Sequence, residues 1–119
     1  MNAKQAAAIK LCDIVQSCLE DNKAEQVVTI DLTGKTSFAD FMIIANGRST
    51  RHVGALADFL KDAIRDAGFG VAHIEGKSNC DWVLVDVGDV IVHIFRPEVR
   101  DFYNLEKIWT ETTPQEMSN

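Results

Sequence analysis

The chain has 119 residues, 46% hydrophobic and 25% charged, which suits one domain with a real core and no need of disulfide or metal staples. Eighteen acidic against twelve basic residues leave a net charge of −6, the wrong sign for a module that draws its affinity from nucleic-acid phosphates. No apolar run approaches the roughly 20 residues of a membrane span, and charges interrupt the N-terminal stretch too often for a secretory leader. Cys12, Cys18 and Cys80 are an odd count without a CxxC pair. They fit a reduced, cytoplasmic protein, with Cys12 and Cys18 in the core of a helix and Cys80 in a loop.

In chain order, residues 3–22 are predicted helical, with Ala7, Leu11, Ile14 or Val15, and Cys18 or Leu19 along one stripe. "QVVTIDL" (26–32) alternates as a strand, and 33–37 is a turn. "DFMIIANG" (40–47) is almost continuously apolar, as a central strand covered on both faces should be. Gly47 ends it, and Ser49 or Thr50 caps a helix carrying Val53, Leu56, Phe59 or Leu60, and Ala63 or Ile64. Gly68 stands where a C′ glycine belongs. "VAHIE" (71–75) is a short strand and 76–80 a loop. Residues 81–95 are two strands about a turn, and Pro97 opens a short helix at 97–103. A helical piece (104–109) and a polar tail (110–119) follow, so the domain is placed at 1–109. The order α-β-β-α-β-β-β-α predicts a single α/β domain with a mixed sheet of about five strands and flanking helices.

The hairpin "DWVLVDVGDVIVHIF" has two unlike faces. Val83, Val85, Val90, Val92 and Ile94 form a plain β-branched face suited to packing under helices. The other parity carries Trp82, Leu84, Asp86, Asp89, Ile91, His93 and Phe95. A two-residue turn at Val87–Gly88 would set Asp86 opposite Asp89, Val85 opposite Val90, Leu84 opposite Ile91, and Trp82 opposite His93. Opposed carboxylates repel, so Asp86 and Asp89 are expected to be solvated or to await a cation.

Four ordered blocks carry a family resemblance: "DFMIIANGRSTRHV", the "EG" at 75–76, "DWVLVDVGDVIVHIF" and "PEVRDFYNLEKIW". Together they resemble the ribosomal silencing factor (RsfS, Iojap-like) family from about residue 5 to Trp109. The resemblance implies a nucleotidyltransferase-like fold without transferase activity. It also implies binding to the large ribosomal subunit through ribosomal protein L-fourteen, blocking of small-subunit joining, and repressed translation under nutrient limitation.

The residues themselves leave three chemistries to weigh. A nucleotidyltransferase would use "NGRST" as a phosphate turn and paired carboxylates on the next strand to hold metal ions. That strand offers Glu75 alone, so an enzyme or nucleotide-binding protein is the alternative reading, not the preferred one. His52, His73 and His93 have no paired ligand spacing, and no metal or cofactor is expected. His52, in the first turn of a helix, is expected to be neutral. A Ser–His–Asp triad lacks a nucleophile elbow. Arg48, Arg51 and His52 read as a solvated helix start, and the charges of "RPEVRDFY" as helix-surface pairs.

Docking remains. Trp82 is the expected anchor, with Glu75, Asp81, Asp86 and Asp89 as an acidic border and His93 beside the indole, a composition suited to a basic protein surface. The competing reading makes Trp82 a second-core residue covered by the C-terminal helices. A self-associating patch that forms a homodimer is a further alternative.

Overall fold

The computed structural model of the protein describes residues 3–103, so the helical piece read at 104–109 and the polar tail lie outside it. Its elements are α1 (Ala3–Asp21), β1 (Glu25–Asp31), β2 (Phe41–Asn46), α2 (Thr50–Asp66), β3 (His73–Glu75), β4 (Trp82–Asp86), β5 (Val90–Phe95) and α3 (Pro97–Tyr103). The strands form one five-stranded mixed sheet in the spatial order β1-β2-β5-β4-β3. β5 lies at its centre, parallel to β2 with Ile44 beside His93, and antiparallel to β4. β1 and β3 are antiparallel edges. Among the described residues no helix is long and apolar enough to cross a membrane.

α1 and α2 cover one face of the sheet. Leu11, Cys12, Val15 and Leu19 from α1, and Val53, Leu56, Ala57, Leu60 and Ile64 from α2, pack on Ile43, Ala45, Val83, Val85, Val90, Val92 and Ile94. The inward stripe of α1 starts at Ala8, and Ala7 is exposed, because the spacing 8-11-12-15-19 follows the helical period from Leu19 backwards. Cys12 is buried as expected, whereas Cys18 is half-buried at the edge of the layer. Burial pushes both thiols above their ordinary pKa, so they are held protonated. On α2, Leu60 and Ile64 point inward and Phe59 stays 47% exposed. Ser49 caps α2 by accepting the His52 amide. Its far end closes with Phe69 N–H on Ile64 O and Gly68 N–H on Arg65 O, the paired bonds of a Schellman motif.

The opposite face carries a second apolar cluster: Ile30, Leu32, Ala39, Met42, Ile44 and Phe95, with Val99 of α3 against it. α3 is pinned there by Arg100, which is buried, not a surface charge as its sequence context suggests. Its Nη1 donates to Gln26 O at 2.6 Å and to Asn46 Oδ1 at 2.9 Å. The cause lies in β1, where the register shifts between Glu25 and Val28 and Gln26 adopts a φ of +50°. A bulge turns a carbonyl out of the ladder, and a buried carbonyl needs a donor. β3 is shorter than the alternating pattern suggests, starting at His73, and Val71 is 78% exposed.

Candidate functional site

The hairpin keeps the two faces read from its alternation but not the predicted pairing. Val87 N–H bonds to Val90 O, so Gly88 and Asp89 form the turn, one residue later than expected. Gly88 has a φ of +87°, the conformation a two-residue hairpin of the II′ kind requires at its first central position and for which glycine is suited. Every cross-strand pair therefore slides by two residues. Trp82 faces Phe95, Leu84 faces His93, Val85 faces Val92, and Asp86 faces Ile91. A slide of two preserves side-chain parity, and the chemically mixed face survives intact.

The six candidate residues do not all join that face. Glu75 does: it stands directly opposite Leu84 across the β3–β4 ladder, and is exposed with His73 Nε2 at 3.4 Å. Asp86 does as well, half-buried, with its Oδ1 accepting the Gly88 amide at 2.8 Å. It does not confront Asp89. Asp89 sits in the turn, its carboxylate 3.8 Å from Lys4 Nζ on the helix side, while its carbonyl accepts the amides of Asp40 and Phe41. Asp81, one residue before Trp82 and so of the other parity, lies 2.8 Å from Arg96 Nε. That N–H is aimed off the oxygen, so the contact is an ion pair without a hydrogen bond.

Trp82 and His93 are adjacent diagonally, not opposite. The indole Nε1–H donates to His93 Nδ1 at 2.8 Å, and the ring centroids are 5.6 Å apart. The indole also lies over Phe95 at 5.0 Å. His93 lies beside the indole and is buried, and burial lowers its pKa from 6.5 to about 4. Trp82 is half-buried: one side rests on the second core and the rest is open. Thus the face grades across the sheet. Its β1–β2–β5 half is packed, and toward β4 and β3 it presents Trp82, Leu84, Ile91, Asp86, His73 and Glu75.

The phosphate-turn reading meets direct competition at "NGRST". Gly47 N–H bonds to Phe95 O, Arg48 N–H to His52 Nδ1, His52 N–H to Ser49 Oγ, and Val53 N–H to Ser49 O. A Cβ on Gly47 would sit 2.7 Å from Val53 Cγ2, so this turn is packed on its own helix. His52 accepts at Nδ1 and its Nε2 lies 2.9 Å from Asn22 O, which ties α2 to the end of α1. Arg48 pairs with Glu25 at 3.7 Å. Among the described residues no three His, Cys, Asp or Glu side chains converge as metal ligands.

This architecture defines a small α/β domain with a five-stranded mixed sheet, α1 and α2 packed on one face, and α3 and an aromatic cluster on the other. The family model described as "Ribosomal silencing factor during starvation" matches residues 5–119, and the chain belongs to that family. It is similar to the ribosomal silencing factor RsfS of Zymomonas mobilis, 52% identical over 99 residues, covering 83% of this chain and 74% of that one. A mouse protein named for mitochondrial assembly of the ribosomal large subunit is 33% identical over 101 residues, covering 82% of this chain and 44% of its own. A crystal structure of a Chromobacterium violaceum protein superposes with a TM-score of 0.83 at 37% identity, covering 88% of each chain.

Proposed function

We propose that this protein is a cytoplasmic, non-catalytic ribosomal silencing factor that docks on the large ribosomal subunit through ribosomal protein L-fourteen. Occupying that surface excludes the small subunit and lowers translation when nutrients are limiting. Membership of the silencing-factor family and the ribosomal names of its relatives support the reading. The observation that carries it to particular residues is the half-buried Trp82, held by His93 and Phe95 beside an exposed Glu75. An aromatic anchor locked in orientation loses little entropy on binding, and carboxylates at the border suit a basic partner.

In this reading Trp82 is the anchor, Glu75 and Asp86 form the near acidic border, and His93 is a positioning residue that holds the indole. Asp81 and Asp89 act further out, at the two ends of the hairpin. Co-sedimentation with separated subunits tests the proposal. The protein is expected with free large subunits and not with small ones, and equal recovery with both, or with neither, overturns it. Concentration-dependent self-association blocked by Trp82→Ala would instead assign this face to a homodimer.

A further inference from the structure

A second surface lies on the opposite side of the molecule. α1 and α2 leave between them a groove of about 600 Å³ whose walls include Ile14, Cys18, Phe59 and Ala63. Phe59 is the unusual member. It occupies a helix whose neighbouring Leu56 and Leu60 are fully buried, yet nearly half its surface remains exposed. An aromatic of that size normally finds cover. Around this apolar floor stand Asp13 and Asp21 from α1 and Asp66 from α2, against Lys10 as the one basic lining residue. Asp66 is shared with Arg65, which also meets Asp62. Asp13 and Asp21 make no ion pair among the described residues.

We infer that the α1–α2 groove is a docking site for a basic amphipathic helix of another protein. A helix laid between two helices extends their layer and offers anchors at i, i+3, i+4 and i+7, with the apolar stripe on Phe59 and Ile14 and flanking lysines or arginines on the carboxylates. Charge excludes the nearer candidates. Residues 104–119 of this chain carry Glu106, Glu111 and Glu116 against Lys107 alone, and a second copy brings the same acidic rim and a net charge of −6. Because this groove and the Trp82 face lie on opposite sides of the sheet, both can be occupied together. The inference therefore stands or falls separately from ribosome docking.

The test titrates the isotope-labelled full chain with a synthetic amphipathic helical peptide of about 14 residues, roughly four turns. It presents leucine and phenylalanine on one face and lysines on the flanks; a control carries glutamate in place of every lysine. Saturable amide shifts at Ile14, Ser17, Phe59 and Ala63 are expected, with the Trp82 indole unmoved and no response to the glutamate control. Phe59→Ala, and separately Asp13→Lys with Asp21→Lys, should each weaken the lysine peptide by roughly tenfold or more, the loss expected of an anchor or its charged rim. These positions are on the surface, so an unchanged melting temperature verifies the fold of each variant. Shifts confined to the Trp82 face, equal binding of the glutamate peptide, unaltered affinity in the variants, or no saturable binding would each overturn the assignment.

Discussion

The indole N–H of Trp82 and Nδ1 of His93 meet at 2.8 Å on the face of the sheet away from α1 and α2. Because Nδ1 accepts, the imidazole carries its proton on Nε2 and is neutral. Trp82 is thereby fixed by a polar bond at its edge and by Phe95 beneath its ring. An indole so held is ordered before any partner arrives.

His93 should make stability fall in mild acid. Its folded pKa is about 4, below the ordinary 6.5, so between those values the unfolded chain binds the proton and the folded one does not. Stability from this group is full above about 6.5 and drains as pH falls toward 4, by up to about 3 kcal/mol at 1.36 kcal/mol per pH unit. Denaturant unfolding from pH 7 to 4 measures it, with His93→Gln as the comparison. A His93 resonance that titrates near 6.5 in the folded protein would sink the prediction.

Trp82 is neither a bare surface anchor nor a full core residue, so its truncation should register twice. Trp82→Ala should cost about 2 kcal/mol of stability, below the roughly 3–5 kcal/mol of a fully buried aromatic. Affinity for large subunits should also drop roughly thirty-fold or more, measured well below the melting temperature of both proteins. Trp82→Phe keeps the ring but loses the donor. It should cost about 1 kcal/mol and raise the pKa of His93. Unchanged binding by a folded Trp82→Ala variant would remove the anchor role.

Gly76 and Gly88 separate backbone strain from steric clash. Both have a φ near +90°, at +89° and +87°. A Cβ on Gly88 meets nothing within 4 Å, so Gly88→Ala should cost only the left-handed penalty of about 1–2 kcal/mol. A Cβ on Gly76 would lie 2.2 Å from the carbonyl oxygen of Trp82. Gly76→Ala should therefore destabilise by at least about 1 kcal/mol more, and shift tryptophan fluorescence because β4 must move. Equal melting temperatures for the two variants would contradict the account.

Salt and charge reversal probe the acidic border. Glu75 is exposed, and Glu75→Lys should slow association with large subunits while leaving stability within about 0.5 kcal/mol. Raising ionic strength from about 0.05 to 0.5 M should weaken the wild-type complex without abolishing it, since rim charges are screened and apolar contact is not. Stopped-flow rates at several salt concentrations supply the measurement, and a salt-independent rate would argue against the border.

Sequence periodicity was a good guide wherever one residue's neighbours decide its fate. The alternation of 82–95 separates the two faces of the hairpin, and Ser49 and Gly68 mark both ends of α2. Register was harder. Val87–Gly88 and Gly88–Asp89 are both credible two-residue turns, and only the left-handed Gly88 at the first central position selects the second. His93 and Arg100 were unreadable for a different reason. His93 is buried because Ile44 of β2 and Leu84 of β4 flank it and the Trp82 and Phe95 rings cover it, and Arg100 because Gln26 turns a carbonyl inward at a bulge. Both depend on contacts between segments far apart in the chain, which no local pattern records. Asp81 and Asp89 look like neighbours of Trp82 in sequence, but parity and the turn carry them away from it.

The central place of β5 has a consequence for how the molecule is made. It is the last strand among the described residues, yet it joins the β1–β2 pair to the β3–β4 pair. Until residues 90–95 have left the ribosome, the earlier strands can form only two separate antiparallel pairs, each too small to hold alone. The parallel pairing of Ile44 with His93 then closes the sheet in a single late step of high sequence separation. Closure of the sheet accordingly waits for β5, and a chain stopped at Asp89 should have no native sheet at all.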